Sequence, residues 1–500
     1  MAGQEKTPGV YIREINAFPN SVVEVETAVP AFIGYTEKAM RGKKSLKDIP
    51  QRITSLAEYD QYFGGPPTTQ FTFTAPGANG EAFTLASASG RFYLYYGMRL
   101  FFDNGGGPCY IVSVGSYADS IDKDAILGEQ NGGGLTALYK VEEPTMVVVP
   151  DAVLLDLDGW QAVCQQVLHH CGRMQSRVGI LDVYDGHKAR TFDPDDDVIS
   201  GGNAGFRNKI ASDYLNYGMT YYPWVNTSIV DDGSVDFSNI ANLPDLVTAL
   251  DADADANLPA ARATALKEEI AKLGNPPADA KAAQTLHNVL YTASPLYKDV
   301  MQELKAAINL QPPSAGVAGV YTRVDNTVGV FKAPANTTIN SVVSPAVDIN
   351  HEEQEDLNVP LDGKAVNAIR TFPGRGLLVW GARTLDGNSQ DWRYVNVRRT
   401  MIFLEQSIKF AAQAYVFAPN TANTWVTVKS MISNFLVNQW KAGALAGSTP
   451  EEAFSVHLGL GETMTPNDIL DGYMKVTVKV AIVRPAEFIV ITFVQKMQTS

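Results

Sequence analysis

From Glu487 to Val494 the sequence reads "EFIVITFV", an almost unbroken run of β-branched and aromatic residues. Such a run is a strand by composition. An apolar strand with an open edge is a template for aggregation, so this one has to be paired. It can pair inside its own domain or with another chain, and the residues alone leave both routes open. Just before it, Val476, Val478, Val480 and Ile482 alternate with Thr477, Lys479 and Ala481, the period of a half-buried strand, and Pro485 separates the two runs. The other end poses the same question. Pro8-Gly9 precedes "VYIREI", where Val10, Ile12 and Glu14 point one way and Tyr11, Arg13 and Ile15 the other.

Between these ends, 500 residues exceed what one core accommodates, so two to about four domains are expected. With 45% hydrophobic and 19% charged residues the chain is globular. Met1 to Pro8 is polar and carries no signal-peptide pattern. The longest apolar runs, such as Phe488 to Val494, fall far short of the roughly 18 residues that span a bilayer. Synthesis in the cytoplasm, without membrane insertion, is the expectation. Cys109, Cys164 and Cys171 give no disulfide framework, which suits a reducing compartment. A net charge of −14 argues against nucleic acid as a partner. From Ala365 to Ser500 there are 13 Lys and Arg against 9 Asp and Glu, leaving 27 against 45 elsewhere. This is either ordinary surface variation or a basic block facing an acidic partner.

The pattern reads as α/β and α+β, in several domains. "SVVEVETAVPAFIGY" supplies one or two strands, and "RFYLYYGMRLFFDN" (Arg91 to Asn104) a helix ended by Gly105 to Gly107 before the strand "CYIVSV". Strands at Thr145 to Pro150, in "RVGILDVYDG" and at Met219 to Val230, with a helix over Gly159 to Cys171, imply a largely parallel sheet. From Pro259 to Leu310, Ala, Lys, Glu and Leu dominate, with a break at Gly274 to Pro277, so helices returning on one another are expected. Near the end, Met401, Leu404, Ile408, Ala411, Ala412 and Tyr415 form one helical stripe, and Trp425, Val428, Ile432, Phe435 and Leu436 a second. Thr449-Pro450-Glu451-Glu452 and Thr465-Pro466-Asn467-Asp468 are helix starts with a capping Thr and Pro in the first position.

Chemistry-bearing clusters are few. Gly42-Lys43-Lys44-Ser45 lacks the earlier Gly and the Gly-Lys-Ser/Thr junction of a phosphate loop and reads as an exposed basic loop. Asp251, Asp253 and Asp255 have the spacing of a calcium loop's first ligands, but Ala256 and Arg262 stand where it needs Gly and Glu. His169, His170 and Cys171, with Cys164 upstream, make a poor joint metal site, because adjacent helical residues diverge by about 100°. Asp195 to Asp197 read as solvent-facing, and Gly374-Arg375-Gly376 and Gly459-Leu460-Gly461 as turns. No nucleophile-base pairing stands out, so no catalytic, cofactor or metal residue is assigned.

Several phrases, in order along the chain, resemble the contractile tail sheath family of bacteriophages and phage-tail-like injection systems. They are "TPGVYIREI" (Thr7 to Ile15), "VPAFIGYTEKA" (Val29 to Ala39), "FFDNGGGPCYIVSV" (Phe101 to Val114) and "PPSAGVAGVYTRVDNTVGVFKAPAN" (Pro312 to Asn336). A C-terminal series follows: "NAIRTFPGRGLLVWGARTL", "WRYVNVRRTMIFLEQSI", "VFAPN", "FLVNQWKAGALAGSTPEEAF" and "VAIVRPAEFIVITF". Pro66 to Gly90 and the acidic, alanine-rich segment near Asp251 carry none of these phrases.

The resemblance implies a division into an N-terminal strand arm (1–27), an N-terminal sheath segment (28–130) with a variable insertion near 66–90, and a central α/β domain (131–345) with a helical segment over 259–310. An α+β domain (346–487) and a C-terminal strand arm (488–500) complete it. It implies a non-enzymatic subunit polymerising with itself as stacked hexamers around an inner tube, with baseplate and terminal cap proteins, and with sheath paralogues where a particle has several. The arms, with Val10, Tyr11, Ile12 and Arg13 at one end and Phe488, Ile489, Val490, Ile491 and Phe493 at the other, would add strands to neighbouring subunits. Lys409, Lys429 and Lys441 are candidates for inner-tube contact. A cytoplasmic α/β enzyme, suggested by the central strand-helix rhythm, and a non-contractile tube or capsid protein are the competing readings. Whether the particle is a phage or an extracellular injection device stays open.

Overall fold

The computed structural model describes residues 22–77, 81–130 and 132–489. Its contacts separate the chain into two units, residues 26–399 and residues 1–25 with 400–500.

The larger unit is built on an eight-stranded sheet. Its strands are β1 (Pro30–Thr36), β2 (Gln51–Ile53), β3 (Cys109–Ser116), β4 (Met146–Val148), β5 (Val178–Asp182), β6 (Gly218–Tyr222), β7 (Asn367–Phe372) and β8 (Gly376–Val379). They lie in the order β8-β7-β6-β5-β4-β1-β3-β2. The six inner strands run parallel, and only the edge pairs β7–β8 and β3–β2 are antiparallel. All seven residues of β1 are buried, as expected of a parallel strand covered on both faces. β7 and β8 close a hairpin through Gly374 and Gly376, both with positive φ, so this Gly-Arg-Gly is a turn.

Two buried carboxylates lock helices onto this sheet. The Asp151 carboxylate accepts the N–H groups of Tyr35, Tyr93 and Leu94, at 2.9, 2.6 and 3.2 Å, fixing helix α1 (Leu94–Asp103) against β1. Gly34 makes room for it, since a Cβ there would collide with the carboxylate. Asp182, ending β5, accepts the N–H and hydroxyl of Ser314, the first residue of a later helix, Ser314–Thr327, that packs on α1. Between these in sequence, α2 (Leu157–Met174) covers the sheet with Trp160, Val163, Val167 and Leu168; the Ser314–Thr327 helix is α3.

The expected strand over Met219 to Val230 is two strands in two sheets. β6 stops at Tyr222, and Val225–Thr227 joins a separate three-stranded antiparallel sheet with Leu310–Gln311 and Val342–Pro345. Pro223 lies between them and has no N–H to continue a ladder. Only one strand, β1, forms in "SVVEVETAVPAFIGY".

The segment expected as a variable insertion and the acidic segment near Asp251 come together. The hairpin Gln70–Thr74 with Thr84–Ser89 bridges Phe71 to Ile240, and the Asn242 side chain accepts the Phe73 N–H and donates to its carbonyl. Asn242 precedes a helix, Leu243–Asn257, that carries Asp251, Asp253 and Asp255; three more helices, Ala260–Ile270, Ala280–Ala293 and Pro295–Asn309, follow. The sequence divisions at 130/131 and 345/346 both fall inside this unit, because strands on either side of them pair in one sheet.

In the smaller unit the residues from 400 onward begin inside helix α4 (Val395–Gln413), followed by α5 (Ala422–Lys441). Phe403 packs on Phe435 with ring centroids 6.0 Å apart, above Val428, Met431, Ile432 and Leu436. The stripe expected on α4 is only partly the buried face: Leu404 is buried and Ile408 half-buried, whereas Ile402 and Phe403, off that stripe, are buried. The strands β9 (Phe454–His457) and β10 (Thr477–Val480) pair antiparallel. Thr465 forms the expected capping box with Asp468. Thr449 does not cap; instead the Glu452 carboxylate accepts the Ser448 N–H at 2.8 Å.

Candidate assembly surface

The strands β9 and β10 form a sheet of two, and a two-stranded sheet is marginal in water without further strands or a covering element. A bridge from Leu445 to Ile482, with the Ala446 N–H donating to the Ala481 carbonyl at 2.7 Å, extends one corner. Among the described residues no third strand pairs with β9 along Phe454–His457. The main-chain groups on that edge can take a strand from elsewhere. The same unit holds the chain on its way in: Val25 N–H donates to Ser407 Oγ at 3.2 Å, and Gln439 donates to the Glu24 carboxylate at 2.6 Å.

Of the arm residues singled out from sequence, Phe488 and Ile489 are placed, and they are 70% and 79% exposed. Val490, Ile491 and Phe493, like Val10, Tyr11, Ile12 and Arg13, lie outside the described residues. Exposed apolar side chains concentrate in this unit. It has about a fifth of the described residues but nine of the nineteen large hydrophobics that stand exposed, among them Val416, Phe417, Leu470 and Tyr473. Patches of this kind mark interaction surfaces. The sequence reading used "VFAPN" only as a family phrase. The signal it held was an aromatic beside Ala-Pro in a helix-helix turn, which no described residue covers.

The three lysines have different surroundings. Lys409 is exposed on α4, 5.6 Å from the Phe410 ring. Lys429 faces Glu462 at 4.0 Å. Lys441, the last residue of α5, is twelve residues beyond Lys429, so the two point about 120° apart and lie about 18 Å apart along the axis. The basic excess after Ala365 also dissolves. Six of its arginines, Arg370, Arg375, Arg383, Arg393, Arg398 and Arg399, belong to the 26–399 unit, and the last two and Arg383 are buried. Residues 1–25 and 400–500 carry 9 Lys and Arg against 10 Asp and Glu, close to neutral. The rest of the −14 net charge, −13, therefore sits on 26–399.

The clusters that suggested chemistry are structural. His170 is buried against Tyr139 and Arg177, and burial with the neighbouring Arg177 charge lowers its pKa to about 3. His169 points elsewhere, edge-on to Tyr214. Cys109, Cys164 and Cys171 are buried, which pushes their thiols up. Among the described residues no three His, Cys, Asp or Glu are grouped as metal ligands. Asp195 and Asp196 are exposed, but Asp197 corrects the sequence reading. It is fully buried in a pair with Arg190 at 2.8 Å and accepts the N–H groups of Thr191, Phe192, Ile199 and Ser200. Burial alone would raise its carboxyl, but the Arg190 and Ser200 bonds hold it well below the usual range. Arg190 and Arg207 share Asp356, so this network pins the 190–207 loop to the helix His351–Asn358.

Residues 388–496 match the phage tail sheath C-terminal domain family. A tail sheath protein of Burkholderia phage BcepMu is 29% identical over 118 residues, 23% of this chain; the match spans only 24% of that relative's length. The fold matches over nearly the whole chain. A chain in the structure of the anti-feeding prophage baseplate, 6-fold symmetrised, is 27% identical with a TM-score of 0.60, covering 98% of this chain and 99% of that one. A chain in the contracted sheath complex of the extracellular contractile injection system PVC is 26% identical with a TM-score of 0.59, covering 98% of each. The matched family is a tail sheath domain, and the second of these structures is a sheath complex.

Proposed function

We propose that this chain, whose residues 388–496 match the phage tail sheath C-terminal domain family, is a subunit of a contractile sheath. The observation that carries the reading is the whole-length likeness to a chain of a contracted injection-system sheath. In this reading the protein acts without catalysis. It polymerises as stacked hexameric rings around an inner tube, docks on a baseplate, and switches between an extended packing and a wider, shorter one, driving the tube outward. Such a switch is a rigid-body transition between two discrete states. The particle is a phage tail or an extracellular injection device.

The arms link the copies. Residues 488–500, with Phe488, Ile489, Val490, Ile491 and Phe493, and the N-terminal segment with Val10 to Arg13, add strands to the β9–β10 sheets of neighbours. A strand of about six residues makes roughly six main-chain bonds of ~0.5–1.5 kcal/mol each, so one arm contributes on the order of 3–9 kcal/mol. Contacts given to one neighbour and received from another are heterologous, and when they do not close they build a helix. Two features support this: the open edge of β9, and the exposure of Phe488 and Ile489 where the arm begins. Deleting residues 488–500 is expected to abolish long tubes in negative-stain images while leaving a folded monomer. Tubes of normal length from the truncated chain would refute the arm model.

A further inference from the structure

We propose that the hairpin after β1 is a contact between copies: its basic tip, at Arg41, Lys43 and Lys44, docks on the acidic loop at Asp193, Asp195 and Asp196 of an adjacent copy. This rests on the reading that copies polymerise and adds a place where the larger units touch. The hairpin pairs Met40–Arg41 with Lys44–Ser45 around a two-residue turn, in which Gly42 supplies φ 62°. Its base is fixed to the body. The Lys38 and Asp48 N–H groups donate to the Phe63 and Ser113 carbonyls, at 3.1 and 2.8 Å, and Leu46 is buried. Everything from Met40 to Ser45 is exposed. Residues 37–48 hold five cations against Glu37 and Asp48, in a unit whose net charge is −13. The acids around the base are engaged there: Asp60 faces Lys38, Asp119 faces Lys47, and Glu37 and Asp48 accept the Gly65 and Gly134 N–H groups. At the tip, Arg41 lies 5.7 Å from the Tyr62 ring, and Arg41, Lys43 and Lys44 have no ion pair with any described residue.

The acidic complement is held as firmly. Asp197 and Asp356 bind Arg190 and Arg207, so the loop presents Asp193, Asp195 and Asp196 to solvent beside the helix His351–Asn358, where Glu352 is also exposed. Neighbouring cations are occupied: Lys188 by Asp185, Lys364 by the Arg207 and Ile210 carbonyls, and Arg370 by Gln354. Asp193, Asp195, Asp196 and Glu352 have no ion pair with any described residue.

The sheet keeps the two patches apart within one copy. The hairpin joins β1 to β2, at one edge, whereas the helix His351–Asn358 packs on β7, near the other. From β7 it is four strand spacings to β1 and six to β2, on the order of 20–30 Å at about 4.8 Å each, against a screening length of about 8 Å. Opposite charges near opposite edges of one unit are satisfied between copies rather than within one. Such a contact is heterologous, the kind that builds a ring or an open helix. The chain ends outside the described residues offer no substitute: residues 1–21 hold Lys6 and Arg13 against Glu5 and Glu14, and residues 490–500 hold only Lys496. Nucleic acid or an acidic lipid surface would meet, along with the hairpin, the −16 carried by the rest of the unit.

The test uses two full-length charge reversals, Lys43→Glu with Lys44→Glu and Asp195→Lys with Asp196→Lys. All four side chains are exposed, so both proteins should melt close to wild type. Each alone should raise the concentration at which assemblies sediment at least about tenfold. Mixed, the two should assemble near the wild-type concentration, because the reversed hairpin of one meets the reversed loop of the other. Reversals that assemble like wild type overturn the proposal, and so does a mixture that assembles no better than its components. Wild-type binding to phosphatidylserine vesicles or duplex DNA that the hairpin reversal abolishes, with assembly unchanged, also overturns it and gives the hairpin to a polyanion. Charge-dependent assembly that stops at closed rings keeps this contact and refutes the sheath. Long sheaths indifferent to both reversals keep the sheath and refute the contact.

Discussion

Replacing Arg399 by methionine tests how the larger unit holds its own two chain ends. The Arg399 guanidinium donates to both oxygens of Asp325, at 2.9 and 2.6 Å, and to the Thr27 carbonyl at 3.0 Å, with its Cζ 4.7 Å from the centre of the Tyr321 ring. The two side chains of the ion pair are 3% and 1% exposed. Thr27 and Arg399 lie at the two boundaries of the 26–399 unit, so one side chain ties where the chain enters to where it leaves. Methionine keeps the length and loses the charge. Thr27 still has the Thr145 hydroxyl at 2.8 Å, but Asp325 is left buried without a counter-ion. Breaking a pair this buried costs about 3–5 kcal/mol, whereas replacing both partners by apolar groups is often close to neutral. The expected result is a large loss in Arg399→Met, a similar loss in Asp325→Leu, and a double variant more stable than either. Urea unfolding would measure the free energies, and hydrogen exchange over residues 22–36 would localise the effect. A loss below about 0.5 kcal/mol in Arg399→Met, the size of an ordinary surface change, would refute the clamp. So would a double variant whose cost is the sum of the singles.

Two further perturbations have opposite pH signatures. Burial raises the Asp182 carboxyl to about 7, and the Ser314 bonds only partly offset it. A carboxyl raised above its unfolded value near 3.9 favours folding most at low pH, and that advantage is lost as pH rises through about 7. Melting temperature should therefore fall from pH 5 to 8, and fall less in Asp182→Asn; Asp151, raised by burial to about 6, keeps part of the slope below that. Equal slopes in the two proteins would contradict the assignment. Asp197 runs the other way: its carboxyl is depressed, so its contribution is present above about pH 4 and lost in acid. Asp197→Ala should cost about 3–5 kcal/mol at pH 7, because it leaves the loop N–H groups unpaired and the buried Arg190, 2% exposed, with only the Asp356 carboxylate that it shares with Arg207. The gap to wild type should narrow on acidification, and a cost under about 1 kcal/mol in urea at pH 7 would overturn this.

The parallel sheet was legible because buried strands write themselves as short apolar runs: β1, β3, β4 and β5 fall where "PAFIGY", "CYIVSV", "MVVVP" and "RVGILD" stand. Pairing was not legible. Nothing local says that β7, 367 residues into the chain, lies beside β6, so a block that reads as a separate α+β domain contributes the edge of the central sheet. Asp197 looked like a solvated acid because its neighbours Asp195 and Asp196 are one, and its partner Arg190 lies outside any motif. Charge was misleading for a related reason. A count along the sequence mixes buried arginines, such as Arg383 and Arg398, with surface lysines, and only the surface groups make a field another molecule can feel.

The charge partition bears on how such a polymer stores and releases energy. In the proposed sheath, the strand edges of the near-neutral unit link copies, while the −13 net charge of the larger unit adds a repulsive term between its copies. At physiological salt that repulsion is screened beyond about 8 Å, so it acts only between bodies packed close together. A packing that holds the larger units near one another is thus held against it, and a wider packing relieves it while main-chain bonds of an arm, on the order of 3–9 kcal/mol, stay unbroken. In that reading, linkage and release reside in different parts of one chain: a near-neutral small unit whose described residues are 22–25 and 400–489, and a large acidic unit whose entry and exit Arg399 ties together.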